Sequence, residues 1–575
     1  MRHASVPGPT PAPATLRGPA LSALSLGLLL VSCDGGAELL LTDATSASGI
    51  DFVHEPGLAG FRELPETMGA GVGLIDAEGD GDWDLYFVQS GPMRRRENEP
   101  SRESGRNALY LNDGGARFSA ASDAAGADHD GYGQGVSVGD VDGDGLDDLF
   151  VLNWGPNQLY LNRGGRFEAS AGIEPGDRWS VSGCFVDIDA DGDLDLYEVN
   201  YLVCPPDSHL EPSINGDVPN AFKYYPHPDH FRAEHDRLWL NDGTGQFSDA
   251  SADVGLDVVP QKGLGVVATD VDLDGWPDLY VTNDSTPNLL FHNQAGRNGG
   301  SLAFESIERS AGVAYNDDGM TEAGMGVDAG DVDGDGRYDL FATNLDVETN
   351  TLYLNRSEGE RIRFVDFTRR AKIAAPSKDY VGFGVLFEDV DGDGRLDLVV
   401  ANGHIMDNIG ELTDARTYAQ PNQLFLGDGA GGFELAPAEL VDPALAVPTV
   451  SRGLVPGDLD GDGDLDFVVS NNAEGPQLYL GRTAPGASVR ITCSAGAGNP
   501  RGLGATLRLV CSDGSELLRR IEASRSYGSA GEPVVNTGLP ASLERVEVLW
   551  PGGAWERFDA GASELNLVRG AGSAL

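Results

Sequence analysis

At 575 residues with a formal net charge of −52, from 91 acidic against 39 basic side chains, the chain is too acidic to engage nucleic acid or an anionic bilayer through its own charge. A hydrophobic content of 40%, arranged in ordered repeats, excludes a disordered acidic tail. The length exceeds one ordinary domain, although a propeller can be that long.

Residues 1–32 read as an export signal. Arg2, His3 and Arg17 precede the apolar run Leu21–Val31, which is too short to span a bilayer and suits a signal h-region. The run ends in Leu30-Val-Ser-Cys33, which resembles a bacterial lipoprotein box. That resemblance implies cleavage before Cys33 and lipidation of its thiol; the alternative is ordinary secretion with a free cysteine. No other segment reads as a transmembrane helix, so the lipid is the expected membrane tie. The expected location is extracytoplasmic, at a bacterial outer membrane, cell surface or periplasm.

Residues 33–483 repeat one acidic loop seven times. Carboxylates fall at loop positions 1, 3, 5 and 9, with glycine at 6. In order they are Asp76, Glu78, Asp80 and Asp84; Asp140, Asp142, Asp144 and Asp148; Asp187, Asp189, Asp191 and Asp195; Asp270, Asp272, Asp274 and Asp278. The last three sets are Asp331, Asp333, Asp335 and Asp339; Asp389, Asp391, Asp393 and Asp397; Asp458, Asp460, Asp462 and Asp466. Four carboxylates converging in a tight loop repel one another unless a hard cation sits between them. Oxygen-only ligands at this density suit calcium, with up to seven ions. An EF-hand shares positions 1, 3, 5 and 6 but needs a glutamate at 12 and flanking helices. Position 12 is Phe87, Val151, Glu198, Val281, Ala342, Val400 and Val469, and the flanks are short β-branched or aromatic runs such as Leu149–Leu152. The loop therefore joins two strands.

A third strand follows each hairpin, as in Asn107–Asn112, Asn157–Asn162 and Asn350–Asn355, and a phenylalanine such as Phe118, Phe167 or Phe364 opens a fourth. Four strands repeated seven times predict an all-β, seven-bladed β-propeller. The seventh unit lacks its fourth strand after Gln477–Leu480, and Leu40–Ile50 parallels Phe247–Leu256, so the N-terminal segment is expected to close the ring. Insertions interrupt the first unit at Met93–Arg106 and the third at Val203–His235. The second insertion carries Tyr224-Tyr-Pro-His-Pro-Asp-His-Phe231 with His209 and His235, and reads either as a ligand or transition-metal contact or as an ordered surface loop. His404 reads either as lining the propeller face or, in preference, as a turn histidine capped by local backbone, and the asparagines Asn153, Asn200, Asn283, Asn344, Asn402 and Asn471, which recur after the second strands, read as turn caps.

Residues 486–571 lack the loop and alternate apolar and polar residues, as in Leu543–Trp550, which predicts a small antiparallel β domain. Apart from Cys33, four cysteines remain. Cys493 and Cys511 lie symmetrically about a turn near Gly502 and are expected to form a disulfide. Cys184 and Cys204 are the other pair by elimination, although reflection through the intervening loop places Cys184 opposite Glu198, so this bridge stays open.

The acidic units resemble FG-GAP/VCBS repeats, as in the integrin α propeller. The tail resembles the ASPIC/UnbV domain through Asn499–Ala505, Tyr527-Gly-Ser529, Gly538-Leu539 and Val548–Gly553. Together they resemble the bacterial members of the cartilage acidic protein family, which implies extracellular binding or adhesion and no established chemistry. The one G-x-S-x-G string, Gly135–Gly139, lies in a segment read as a strand rather than at a strand-to-helix elbow, no phosphate loop or HExxH motif is present, and no catalytic residue is assigned. The expected function is non-catalytic recognition of an extracellular protein or glycan by a calcium-binding, lipid-anchored monomer. The alternatives are a propeller-based polysaccharide-active enzyme and a purely structural envelope protein.

Overall fold

The computed structural model describes residues 40–57, 62–91, 105–204, 225–482 and 488–575, all within one compact unit spanning 39–575. The export signal and Cys33, most of the Met93–Arg106 insertion, and residues 205–224 of the Val203–His235 insertion lie outside the described residues.

The repeats form seven four-stranded antiparallel blades. The second blade shows the pattern: Tyr132–Gly139, Asp148–Gly155, Gln158–Asn162 and Phe167–Ser170, with Gly139 opposite Asp148 across the loop. Every residue of Asp148–Gly155 is buried, as is every residue of Asp278–Asn283 and Asp466–Asn471, because neighbouring blades cover both faces of these strands. This explains their continuous apolar runs. The ring closes as the sequence suggests. Leu41–Asp43 pairs antiparallel with Gln477–Gly481 of the seventh blade, Leu41 opposite Gly481, so this edge is covered by the N-terminal strand. Asparagines Asn153, Asn344 and Asn471 cap the turns after the second strands, donating to Pro156 O, Thr349 O and Gly475 O. His404 is likewise a local cap, its Nδ1 accepting from Met406 N at 2.9 Å.

The inner strands crowd the axis. Five residues before each first loop aspartate stand Gly71, Gly135, Ser182, Gly265, Gly326, Gly384 and Gly453. A Cβ at Gly326 would lie 1.9 Å from Phe383 O, and one at Gly135 would lie 2.3 Å from Val181 O. At Gly135 and Gly326 a side chain is excluded because adjacent backbones nearly touch, whereas Ser182 fits by donating its hydroxyl to Leu264 O at 2.6 Å.

The remaining space on the axis is filled from the C-terminal segment. Its short strands Ser524–Arg525 and Ser529–Ala530 form a hairpin, and Ala530 pairs parallel with Gly73 of the first blade. The hairpin bonds to inner strands around the ring. Gly528 O accepts from Val136 N, and Gly528 N donates to Ser182 Oγ. Ser526 N exchanges bonds with Val327, and Ser526 Oγ accepts from Val385 N. Ser529 Oγ accepts from Val72 N, and Glu532 N donates to Pro456 O. Tyr527, fully buried, stands edge-on to Phe383 with ring centroids 4.9 Å apart, and its hydroxyl meets Met68 Sδ at 3.3 Å. Beside it Arg452, also fully buried, lies 3.9 Å over the Phe383 ring and donates to the carbonyls of Thr67, Gly403, Ser451 and His404. At the base of the hairpin Arg520 and Arg525 pair with Asp328 and Glu388 of the fifth and sixth inner strands.

The rest of the tail forms two small sheets. Five strands, Glu516–Arg520, Thr506–Cys511, Leu543–Leu549, Trp555–Asp559 and Ser573–Ala574, run antiparallel. In the second sheet Ser488–Ser494 pairs antiparallel with Val535–Gly538 but parallel with Glu564–Val568, a mixed arrangement that strand alternation alone does not reveal.

The expected Cys493–Cys511 disulfide does not form, nor does the Cys184–Cys204 bridge that the sequence leaves open: all four are buried free thiols. Cys493 faces Leu567 in the mixed sheet while Cys511 faces Leu543 in the other, so the two strands are not hairpin partners. Cys184 lies opposite Tyr197 within its blade, whereas Cys204 packs in a different apolar cluster with Trp154, whose indole donates to its carbonyl.

Candidate metal centres

Each loop is built on its ninth residue. In the second blade Asp148 Oδ2 accepts from Val141 N at 2.9 Å, closing the loop, and Oδ1 accepts from Asn162 N at 2.7 Å, fixing the third strand. The same two bonds recur on Asp84, Asp195, Asp278, Asp339, Asp397 and Asp466. The first residue gathers the turn: Asp140 Oδ1 accepts from Gly143 N and Asp144 N, and Oδ2 from Gly145 N. A third element, which sequence reasoning did not single out, ties blade to blade. Asn112, Asn162, Asn241, Asn293 and Asn355 end five third strands. Each donates its side-chain amide to the carbonyl at position 2 of the preceding blade's loop, Leu459, Ala77, Val141, Ile188 and Val271 respectively. The Asn that follows Leu-Tyr-Leu, Leu-Trp-Leu or Leu-Phe-His in the first five units, replaced by Gly427 and Gly481 in the last two, is the sequence signal for it.

These bonds bring the expected ligands together. Asp140, Asp142 and Asp148 each offer a carboxylate oxygen within 4.8 Å of the others, as do Asp187, Asp189 and Asp195, and Asp331, Asp333 and Asp339. Oxygens of Asp142, Asp187, Asp272, Asp333 and Asp335 are buried without a hydrogen-bond partner. A buried, unpaired carboxylate oxygen is costly in any fold. Burial, reinforced by the neighbouring carboxylates, pushes Asp148, Asp397 and Asp466 up to about 8 and Asp84 and Asp187 to about 7, against opposing backbone N–H bonds. An ion of charge +2 at the centre removes both penalties, and the all-oxygen donor set fits calcium.

Cations of the chain compete in some loops. Arg163 pairs with Asp142 and Asp144 at 2.8 Å each. Arg356 pairs with Asp333 and Asp335, and Arg337 joins it on Asp335. Glu78 of the first loop stands where the others carry aspartate.

The loop face is also where the tail docks. Asp389 Oδ2 accepts from Gly538 N at 2.7 Å and Thr537 Oγ1 at 2.8 Å. Asn536 donates to Gly463 O, Gly552 N to Gly275 O, and Arg519 to Gly394 O. Tyr338 donates to Arg519 O at 2.7 Å, and Arg501 pairs with Asp147 at 2.9 Å and Asp76 at 3.5 Å while lying over Trp83. Between the first loop and the tail lies a cleft of about 450 Å³ lined by Asp76, Trp83, Arg490, Arg501, Glu532 and Asn566.

The Val203–His235 insertion leaves its blade at the end opposite the loops, since it follows the second strand. Of its described part, Pro228–His230 forms a turn capped by His227, and Asp229 holds Lys262 of the fourth blade at 2.5 Å. Its described histidines, His227, His230 and His235, join none of the three-carboxylate groups named above.

Comparison with known families agrees with this architecture. The model of the FG-GAP-like repeat matches residues 76–151, 140–198, 270–342 and 331–400, which take in the first six loops, and the ASPIC and UnbV model matches 482–568. The chain is an FG-GAP-repeat protein of the propeller class with an ASPIC/UnbV domain. Its relatives include cartilage acidic protein 1 of Mus musculus, 26% identical over 534 residues that cover 88% of this chain and 74% of that protein. The Homo sapiens form of cartilage acidic protein 1 is 25% identical over 547 residues, covering 88% and 72%. Among solved structures, BBS1N in complex with ARL6DN is 11% identical and covers 78% of this chain and 99% of that one, with a TM-score of 0.40, too slight a likeness to bear on the fold.

Proposed function

We propose that this protein is a calcium-stabilised, extracytoplasmic recognition module with no catalytic role, held at a bacterial membrane by lipid on Cys33. The observation that supports it best is the set of buried loop carboxylate oxygens that have no partner in the protein, repeated around one face. The equivalence of the loops assigns them to structure. The C-terminal domain grips that face, so ion binding contributes directly to the stability of the whole unit. Recognition then belongs to features that differ between blades: the cleft beside Arg490 and Arg501, and the insertion at Val203–His235 on the other rim. The kinship with cartilage acidic protein 1 favours recognition or adhesion over turnover, and the ligand class proposed is a protein or glycan.

The test is the thermal melt of metal-stripped protein with and without calcium. Calcium raises the melting temperature by many degrees, with affinity near ~10⁻⁴–10⁻³ M per site, and magnesium restores it poorly because it demands tight octahedral geometry. A melt unmoved by calcium refutes the reading. Glycan and protein arrays probed in calcium, with a parallel assay for product release, separate recognition from turnover. In cells, Cys33→Ser moves the protein from the membrane to the soluble fraction; retention refutes the lipid anchor.

A further inference from the structure

The fourth loop differs from the others at one position facing its carboxylates. The next-to-last residue of the third strand is Leu111, Leu161, Leu240, Leu354, Leu426 or Leu480 in six blades, and His292 in the fourth. The fold therefore has no need of an imidazole there. His292 is 1% exposed, and its Nε2 lies 3.1 Å from Asp272 Oδ2 and 4.0 Å from Asp278 Oδ1. Asp272, Asp278 and His292 each present a ligand atom within 4.8 Å of the other two, and Asp272 belongs to a second such group with Asp270 and Asp274. The Asp272 side chain is only 8% exposed, yet its Oδ1 is buried with no hydrogen-bond partner. Arg297 approaches the other oxygen of Asp272, at 3.7 Å.

We propose that the fourth loop is a mixed nitrogen–oxygen site for a divalent transition metal, ligated by His292, Asp272 and Asp278. Calcium takes oxygen donors, whereas imidazole joined to carboxylates suits borderline ions such as zinc and cobalt. The outer contact fits as well. The amide nitrogen Gln294 Nε2 lies 2.5 Å from His292 Nδ1. With the amide oxygen turned to the ring instead, Gln294 accepts the Nδ1 proton and leaves the Nε2 lone pair for the metal. The open side of the site is toward Asp274, which is exposed. The assignment uses the same loop geometry as the calcium reading but does not depend on calcium.

The experiment titrates cobalt(II) into the full chain after metal stripping and saturation with millimolar calcium, followed by visible absorption and calorimetry. One equivalent binds, shows ligand-field bands and is displaced by zinc. His292→Leu, which installs the residue of the other six blades, loses that equivalent while keeping its calcium-dependent melt. Should the leucine variant not fold, His292→Gln is read the same way. Absence of any cobalt uptake against calcium overturns the proposal, and so does a His292 variant that binds as many equivalents as the wild type. A melt indifferent to calcium alongside one His292-dependent cobalt equivalent would overturn the calcium reading alone.

Discussion

Replacing Tyr527 by alanine tests whether the C-terminal hairpin holds the ring together. The ring of Tyr527 is fully buried, edge-on to Phe383, in a cluster with Leu64, Trp179, Val181, Tyr201 and Leu264 drawn from several blades. Truncating a large buried aromatic costs about 3–5 kcal/mol, combining lost transfer energy with the cavity left behind. Tyr527→Phe removes only a hydroxyl facing the Met68 sulfur, a weak acceptor, and costs under ~1 kcal/mol. Urea unfolding in calcium, followed by tryptophan fluorescence from Trp154 and Trp179, measures both variants. Hydrogen exchange adds position: the amides of Val136, Val327 and Val385, which donate to the hairpin, lose protection first in the alanine variant. If Tyr527→Ala unfolds within about 1 kcal/mol of Tyr527→Phe, or these amides keep their protection, the hairpin is a passenger and the reasoning fails.

Two further outcomes follow from the loops and the axis. The ninth-position aspartates have pKa values raised by burial, to about 8 at Asp148, Asp397 and Asp466, so without metal the native state holds protons that the unfolded chain releases near pH 4. Stability of the metal-free protein therefore falls as pH rises from 4 to 8, and the calcium-induced rise in melting temperature grows over the same window; a flat metal-free profile from pH 5 to 8 contradicts this. Gly326→Ala, whose Cβ would sit 1.9 Å from Phe383 O, prevents close approach of the fifth and sixth blades and yields insoluble or strongly destabilised protein. Gly410→Ala, in a short surface helix with open space around it, is the control and leaves stability unchanged or raises it by up to ~1 kcal/mol, as read by the same melts.

The blades, the loops and the closing strand were legible because each has a local signature. Asp-x-Asp-x-Asp-Gly marks the hairpin, continuous apolar runs mark doubly covered strands, and the unit missing after Gln477 points to the segment at Leu41. The axial hairpin was not legible, since Ser524–Ala530 is small and polar, with no period, and its partners are scattered over the whole ring. The glycines from Gly71 to Gly453 announce a crowded axis but not what fills it. The expected Cys493–Cys511 disulfide failed for a related reason. Symmetry of Cys493 and Cys511 about Gly502 presumes a local hairpin, whereas the two strands enter different sheets. His292 was visible only by aligning third strands with one another, a comparison that searching for acidic residues never requires.

The closing strand and the axial hairpin together set the order in which this chain can become a protein. Leu41–Asp43 is synthesised first, but its partner is Gln477–Gly481, and the hairpin at Ser524–Ala530 comes later still. A ring begun from its first blades has an open seam and a hollow axis until nearly the last residue emerges. Such long-range pairing makes folding slow and leaves unpaired strand edges waiting. Among the described residues, no stretch that stops short of Ala530 can close both the seam and the axis.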